Sequence, residues 1–167
     1  VDTTALVELF KAKSLKLVTA ESCTAGLIAS TLADAKGAGQ LLECAYVTYS
    51  PAAKQRVLGV KPETIERFNL TSEEVAREMA EGALRAGQAQ VAVSNTGVTD
   101  DVDPEIPAGT QCWAWAFRRP GAEPVIFSET RRFDGDRHTI RERSAEHALA
   151  RIPHWHAEFE AVSAASA

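Results

Sequence analysis

Two patterns in the chain predict an α/β fold, a mixed sheet with helices on both of its faces. Over the first half, stretches of helical period alternate with short strand-like stretches, the arrangement that yields parallel strand pairs. In the second half, residues 111–117 and 125–133 read as two long strands that meet at Pro120-Gly121, an antiparallel hairpin.

Thr3 or Thr4 caps a first helix reaching about Ala12, with Leu6, Leu9 and Phe10 as its buried stripe. Leu15, Leu17 and Val18 form a short apolar strand. A helix over Thr24–Ala35 follows, with Leu27, Ile28, Thr31 and Leu32 on one face. Lys36-Gly37-Ala38-Gly39 is a breaker before a β-rich run from Cys44 to Tyr49. Ser50 is a good cap, and Pro51 suits the first position of a short helix that carries Lys54 and ends near Gly59. A brief helix, Glu63 to Phe68, leads to Thr71-Ser72-Glu73-Glu74. These four open a long amphipathic helix to Ala86, with Val75, Met79, Ala83 and Leu84 inward. Gln90 to Ser94 is short and apolar, like a buried central strand. A loop rich in Asp and Pro, Thr96 to Ala108, precedes the hairpin. Asp134-Gly135-Asp136 starts a last helix from about Arg137 to His147, and Pro153 breaks or restarts it. The Ala/Ser tail after Val162 reads as frayed.

The chain of 167 residues is 45% hydrophobic and 25% charged, which fits one globular domain over 1–167 and not disorder. No apolar run approaches the roughly 20 residues of a membrane helix. The start, Val1-Asp2-Thr3-Thr4, lacks the basic patch and apolar stretch of a signal peptide. A net charge of −5 weighs against nucleic acid as a partner but leaves room for a small anion in a local pocket. Cys23, Cys44 and Cys112 are odd in number and lack CxxC spacing. Reduced thiols in a cytoplasmic protein are therefore expected, not a disulfide frame or a zinc site.

Chemistry concentrates at Glu21-Ser22-Cys23-Thr24, a polar knot between the first strand and the next helix. A hydroxyl and a thiol lie there beside the N–H groups that open a helix, a setting that stabilises a bound anion or an oxyanion. The plain alternative is that Ser22 or Thr24 caps the helix and Gly26 allows close packing. The local pattern does not separate the two. Taken alone, Lys54 reads as a surface lysine, Tyr49 as a core residue with a satisfied hydroxyl and Cys23 as a small buried thiol. Glu21 either orients Lys54 or closes a turn. Arg137 and Arg141 stand one helical turn apart on one face, within reach of a phosphate or a partner subunit. Their alternative is ion pairing with Glu142, Glu146 or the acidic loop.

Four stretches carry a resemblance: Thr19 to Thr24; Val47-Thr48-Tyr49-Ser50 with Lys54 and Gly59-Val60; Pro107-Ala108-Gly109-Thr110; and Phe133 to Arg137 with Ile140-Arg141. In this order, over about Leu6 to Leu149, they resemble the CinA C-terminal domain family, the nicotinamide mononucleotide deamidases. The resemblance implies a three-layer α/β/α sandwich and an amidohydrolase using neither metal nor cofactor. It would turn nicotinamide mononucleotide into nicotinate mononucleotide and ammonia with a Ser–Lys pair. The matching positions are Ser22 and Lys54, with Tyr49 nearby. A serine hydroxyl needs a base to take its proton, and lysine serves only if its pKa falls from about 10.4 toward neutrality. The N–H groups after Ser22 would hold the oxyanion. Substrate-side candidates are Glu21, Cys23, Thr24 and Gly26 at the knot, and Thr96 and Gly97 after the third strand. Gly109, Thr110, Arg137 and Arg141 complete them. The expected partners are a small-molecule amide, a nicotinamide nucleotide first, and further copies of the chain in a homo-oligomer, a dimer first. Neither nucleic acid nor membrane is expected.

One stretch departs from the family. Its members carry a glycine-rich run after the third strand, where this chain has Gly97-Val98-Thr99-Asp100-Asp101-Val102-Asp103-Pro104-Glu105. Glycines let backbone N–H groups crowd a phosphate, whereas aspartates repel it. Asp100, Asp101 and Asp103 lack the full calcium-loop pattern, so an exposed acidic loop is expected and no metal. Three readings follow. The chain is an amidase for nicotinamide mononucleotide, a relative that binds without turnover, or an amidase for a related amide lacking phosphate.

Overall fold

The structure, a computed structural model, describes residues 2–166. Val1 and Ala167, the two ends of the expected domain, lie outside the described residues. Helix α1 (Thr4–Lys13) leads into β1 (Leu17–Glu21), α2 (Leu27–Ala33), a 3-10 turn (Ala38–Gln40) and β2 (Leu42–Val47). Helices α3 (Pro51–Leu58), α4 (Pro62–Phe68) and α5 (Glu73–Ala86) come next, then β3 (Val91–Gly97). The hairpin β4 (Thr110–Arg119) and β5 (Ala122–Arg132) precedes α6 (Arg137–Ala150) and α7 (Ile152–Ala165).

The five strands form one mixed sheet in the order β2-β1-β3-β4-β5. β1 runs parallel to both β2 and β3, while β4 is antiparallel to β3 and β5. Helices cover both faces, so the expected α/β/α sandwich is the observed fold.

Side-chain size along β4 decides what packs on each face. Trp113, Trp115 and Phe117 point to one side, with Leu17, Val91 and Val93, and meet α1, α2, α6 and α7. The indoles bury their N–H groups on helix carbonyls, Trp113 Nε1 on Ser144 O at 3.1 Å and Trp115 Nε1 on Ala148 O at 2.9 Å. Ala114 and Ala116 face the other side, and their small size lets α5 lie close with Val75, Met79, Ala80 and Ala83. Gly82 continues that logic, since a Cβ there would run into the Leu58 carbonyl of α3. Helix α3 is thereby held against the sheet through α5. On the opposite layer, Glu129 of β5 gathers His147, Arg151 and Trp155 at 2.8, 2.7 and 3.1 Å, tying α6 and α7 to the hairpin.

Three helix starts are as the sequence predicts. Ser50 accepts from the Ala53 N–H, Ser72 from Val75 and Asp136 from Thr139. Other boundaries differ. Helix α2 begins at Leu27 rather than Thr24, because Ala25 (φ +48) and Gly26 (φ +99) adopt left-handed backbone and make a turn first. Neither Ser22 nor Thr24 caps it. Gly26 is the cap residue and offers no side chain. Thr3, the first residue of α1's cap, makes no side-chain cap bond either. The β-rich run ends at Val47, two residues short of Tyr49, and the stretch after Val162 stays helical to Ala165 instead of fraying. Pro153 restarts the helix in its first turn, as a missing N–H permits.

Candidate active site

The carboxyl ends of the parallel strands β1, β2 and β3 meet at one edge of the sandwich, the usual place for a ligand in such sheets. Ser22 is the first residue past β1, and its N–H donates to Asn95 O at 3.0 Å, extending the strand pairing. Thr48 and Tyr49 follow β2 and lead to the Ser50-Pro51 start of α3. One turn into α3, Lys54 points back under the strand ends. Its Nζ lies 2.8 Å from Ser22 Oγ, 2.7 Å from Thr48 O and 3.0 Å from Tyr49 O. Lys54 is 1% exposed and Ser22 8%. Among the described residues no carboxylate pairs with Lys54. Burial pushes its ammonium pKa down to about 8.

The turn carrying Ser22 is fixed from three directions. Glu21, fully buried, accepts from the Thr19 and Thr24 hydroxyls at 2.9 and 2.7 Å. It also accepts from the N–H groups of Gly26, Ile28 and Ala29 at 3.0, 2.9 and 3.1 Å. Asn95 takes the Thr24 N–H on its side-chain oxygen at 3.1 Å and donates to Gln111 Oε1 at 3.1 Å. Arg141 reaches over from α6 and donates to Cys23 O at 2.9 Å and Thr24 O at 3.2 Å.

These contacts correct several sequence expectations. Glu21 neither orients Lys54 nor faces a substrate; it neutralises the open N-terminus of α2 from within the core. The N–H groups expected to hold an oxyanion are mostly engaged: Thr24 on Asn95, Ala25 on Ser22 O, and Gly26, Ile28 and Ala29 on Glu21. Among the described residues, the Cys23 N–H alone in this turn has no partner. Thr24 is wholly buried and Arg141 donates to two carbonyls, so both hold the turn. Gly26 serves the turn.

The other candidates divide in the same way. Thr96 is buried and donates to Leu70 O at 3.0 Å, so its hydroxyl does not face the site. Gly97 makes room for the Gln111 amide, which would collide with a Cβ. Gly109 (φ +84) packs against the Phe133 carbonyl, and Thr110 closes the loop onto Pro107 O at 2.6 Å. These three therefore shape the loop's base. Tyr49 is not a core residue; it is 58% exposed, and its hydroxyl accepts from Arg137 Nη2 at 3.2 Å. Arg137 also donates through Nη1 to Thr99 Oγ1 and Asp100 Oδ2, each at 2.7 Å, the expected ion pair with the acidic loop. Glu142 pairs with His138 instead.

Cys23 is poorly set up to act as a nucleophile. Its thiol is buried, and burial raises its pKa against the opposing pull of the Gln111 hydrogen bond, Arg141 and Arg137. It accepts from Gln111 Nε2 at 3.5 Å and touches no base. Two of the loop acids are engaged as well. Asp100 holds Arg137, while Asp103 accepts from Asn69 Nδ2 and the Glu105 N–H, each at 2.8 Å. Among the described residues no group of three or more His, Cys, Asp and Glu is placed to hold a metal ion, and no helix is long and apolar enough to cross a membrane.

Asn95 and Gln111 went unread in the sequence. The available signal was polarity at the end of an otherwise apolar buried strand, where an amide must find partners or be costly.

A putative competence-damage inducible protein of Symbiobacterium thermophilum is 42% identical over 154 residues, 89% of this chain and 36% of its own length. The chain thus spans about a third of that relative. A nicotinamide-nucleotide amidohydrolase PncC of Enterobacter agglomerans is 39% identical over 141 residues, 83% of this chain and 84% of the relative. A CinA superfamily protein of Escherichia coli, known from its crystal structure, superposes with a TM-score of 0.82 at 34% identity, covering 90% of this chain and 86% of that one. The family profile described as the CinA C-terminal domain matches residues 3–155, and the chain belongs to that family.

Proposed function

We propose that this chain is an amidohydrolase that deamidates nicotinamide mononucleotide, with Ser22 as nucleophile and Lys54 as its base. The observation that carries the reading is the 2.8 Å contact between Lys54 Nζ and Ser22 Oγ, made by an amine whose pKa is pushed down to about 8. Relatives of Enterobacter agglomerans and Shigella flexneri named nicotinamide-nucleotide amidohydrolase, at 39% and 38% identity, support the substrate class.

The chemistry follows from the valences of the amine. As an ammonium, Lys54 donates to three acceptors, the two carbonyls and Ser22 Oγ. As a neutral amine it keeps two N–H bonds for Thr48 O and Tyr49 O, and its lone pair points at the Ser22 hydroxyl. With a pKa of about 8, about a tenth of the molecules hold that neutral form at pH 7. The Ser22 oxygen then bonds to the amide carbon as its proton passes to Lys54. The Cys23 N–H is the open donor for the oxyanion. When the carbon–nitrogen bond breaks, Lys54 returns the proton to the departing nitrogen, which leaves as ammonia. Water cleaves the resulting Ser22 ester, giving up a proton through Lys54 and releasing nicotinate mononucleotide.

Three free cysteines accord with a reducing compartment such as the cytoplasm. Ammonia release from nicotinamide mononucleotide by wild type and Ser22→Ala tests the reading. The expected result is a loss of at least about 10³-fold in the variant. Equal rates in both proteins, or none in either, would overturn the amidase reading.

A further inference from the structure

We infer that Asp100 is a specificity-determining residue. By holding Arg137 as a counter-ion at the mouth of the Ser22–Lys54 site, it lowers the advantage of a phosphate-bearing amide over the same amide without its phosphate. The inference rests on the amidase reading above and goes beyond it in naming what this chain does to substrate preference.

Three cations reach the site, and each is engaged. Lys54 is buried on Ser22 and two carbonyls, and Arg141 is committed to Cys23 O and Thr24 O. Arg137 remains, with its side chain more than half exposed. It stands one residue from the catalytic amine, because Nη2 donates to the hydroxyl of Tyr49 while the carbonyl of Tyr49 accepts from Lys54. An anionic group arriving beside Ser22 meets this guanidinium with Asp100 Oδ2 already 2.7 Å away. Thr99 strengthens the hold, since its hydroxyl accepts from Arg137 and donates to Asp100 at 3.0 Å.

The pair is electrically coupled to the nucleophile turn. The Cys23 thiol, next in sequence to Ser22, is influenced by Arg137 and by Asp100 with opposite signs. Both partners of the ion pair are exposed, so the bond itself is weak and a phosphate can displace Asp100. The displaced carboxylate stays on the same loop, however, and repels the dianion that took its place. A like charge held a few ångströms away near a protein surface is equivalent to about tenfold in affinity. Phosphate-free amides escape this repulsion. The site should therefore accept a pyridine carboxamide riboside on terms close to those of its 5′-phosphate.

The test compares nicotinamide mononucleotide with its phosphate-free riboside on the full chain. Specificity constants for ammonia release are measured for wild type, Asp100→Asn and Asp100→Ser. Dissociation constants of both compounds are measured by calorimetry with each Asp100 residue in a Ser22→Ala background. The expected outcome is a mononucleotide-to-riboside ratio raised about tenfold in both Asp100 variants, with the gain shrinking as salt is added. A ratio unchanged or lowered in both variants overturns the inference, as does failure of either compound to bind any of the proteins. Turnover that persists in Ser22→Ala, or is absent everywhere, instead removes the amidase reading, while the calorimetric ratio still decides the role of Asp100.

Discussion

Lys54 Nζ and Ser22 Oγ, 32 positions apart in the chain, stand 2.8 Å apart in the fold. Two backbone carbonyls, of Thr48 and Tyr49, occupy the remaining valences of the nitrogen and aim the third at the serine. The aim is a property of local structure. The chain leaves β2, is capped by Ser50, and turns once into α3, which returns Lys54 to the strand ends.

The first prediction concerns the rate against pH. Burial lowers the Lys54 pKa from 10.5 to about 8, and in the proposed mechanism only the neutral amine accepts the Ser22 proton. The specificity constant for amide hydrolysis should rise with pH, with a midpoint near 8, and level off above it. Lys54→Met should lose about 10³-fold or more and show no such midpoint in its residual rate.

The same burial has a stability signature. Between about pH 8 and 10.5 the unfolded chain keeps a proton on Lys54 that the folded chain has lost. Stability therefore rises with pH through that window and is lowest, as far as this group matters, below it. Relative to Lys54→Met, the wild type should gain about 2–3 kcal/mol across the window, read from urea denaturation at fixed pH values.

Glu21→Gln exchanges an acceptor for an amide whose NH₂ group faces donors. The buried carboxylate receives three backbone N–H groups and two hydroxyls, and the amide cannot accept all five. A loss of about 3 kcal/mol in unfolding free energy is expected, together with loosened activity because Ser22 adjoins it. Chemical denaturation followed by circular dichroism measures the first effect.

Arg141→Lys should separate positioning from binding. Lysine cannot span Cys23 O and Thr24 O with the planar fork that arginine uses. The expected change is a kcat lowered about tenfold with KM nearly constant and the pH midpoint unmoved. A KM effect alone would make Arg141 a substrate contact instead.

Gly109→Ala tests the loop's base. Its φ of +84 suits glycine, and an added Cβ would meet the Phe133 carbonyl. The variant should lose about 2 kcal/mol or more, seen as a lowered Tm.

Much of the fold was legible because its signals are local. Ser50, Ser72 and Asp136 act through hydrogen bonds three residues away, and their helices begin where the sequence places them. The apolar runs of β1 and β3 alternate with amphipathic helices, which left few topologies open. The start of α2 was not legible, because what replaces a side-chain cap is Glu21, on the preceding strand and aimed inward. A carboxylate beside a serine and a cysteine looks like site chemistry until its five partners are counted. Asn95 and Gln111 share that difficulty, since each acts across strands whose pairing no single stretch displays. The pairing of Ser22 with Lys54 was legible only through family resemblance; on its own, a lysine on a short helix carries no mark of burial. The acidic loop was legible in charge but not in partner, because Asp100 meets Arg137 across 37 positions.

The proposed nucleophile is the most direct point of test. Wild-type protein is mixed with nicotinamide mononucleotide, quenched in acid within the first turnover, digested and analysed by mass spectrometry. If Ser22 attacks the amide, an ester of nicotinate mononucleotide appears on the peptide carrying position 22, forms with the ammonia burst, and vanishes in Ser22→Ala. Adduct on Cys23, or full-rate ammonia release from the Ser22→Ala protein, would contradict it.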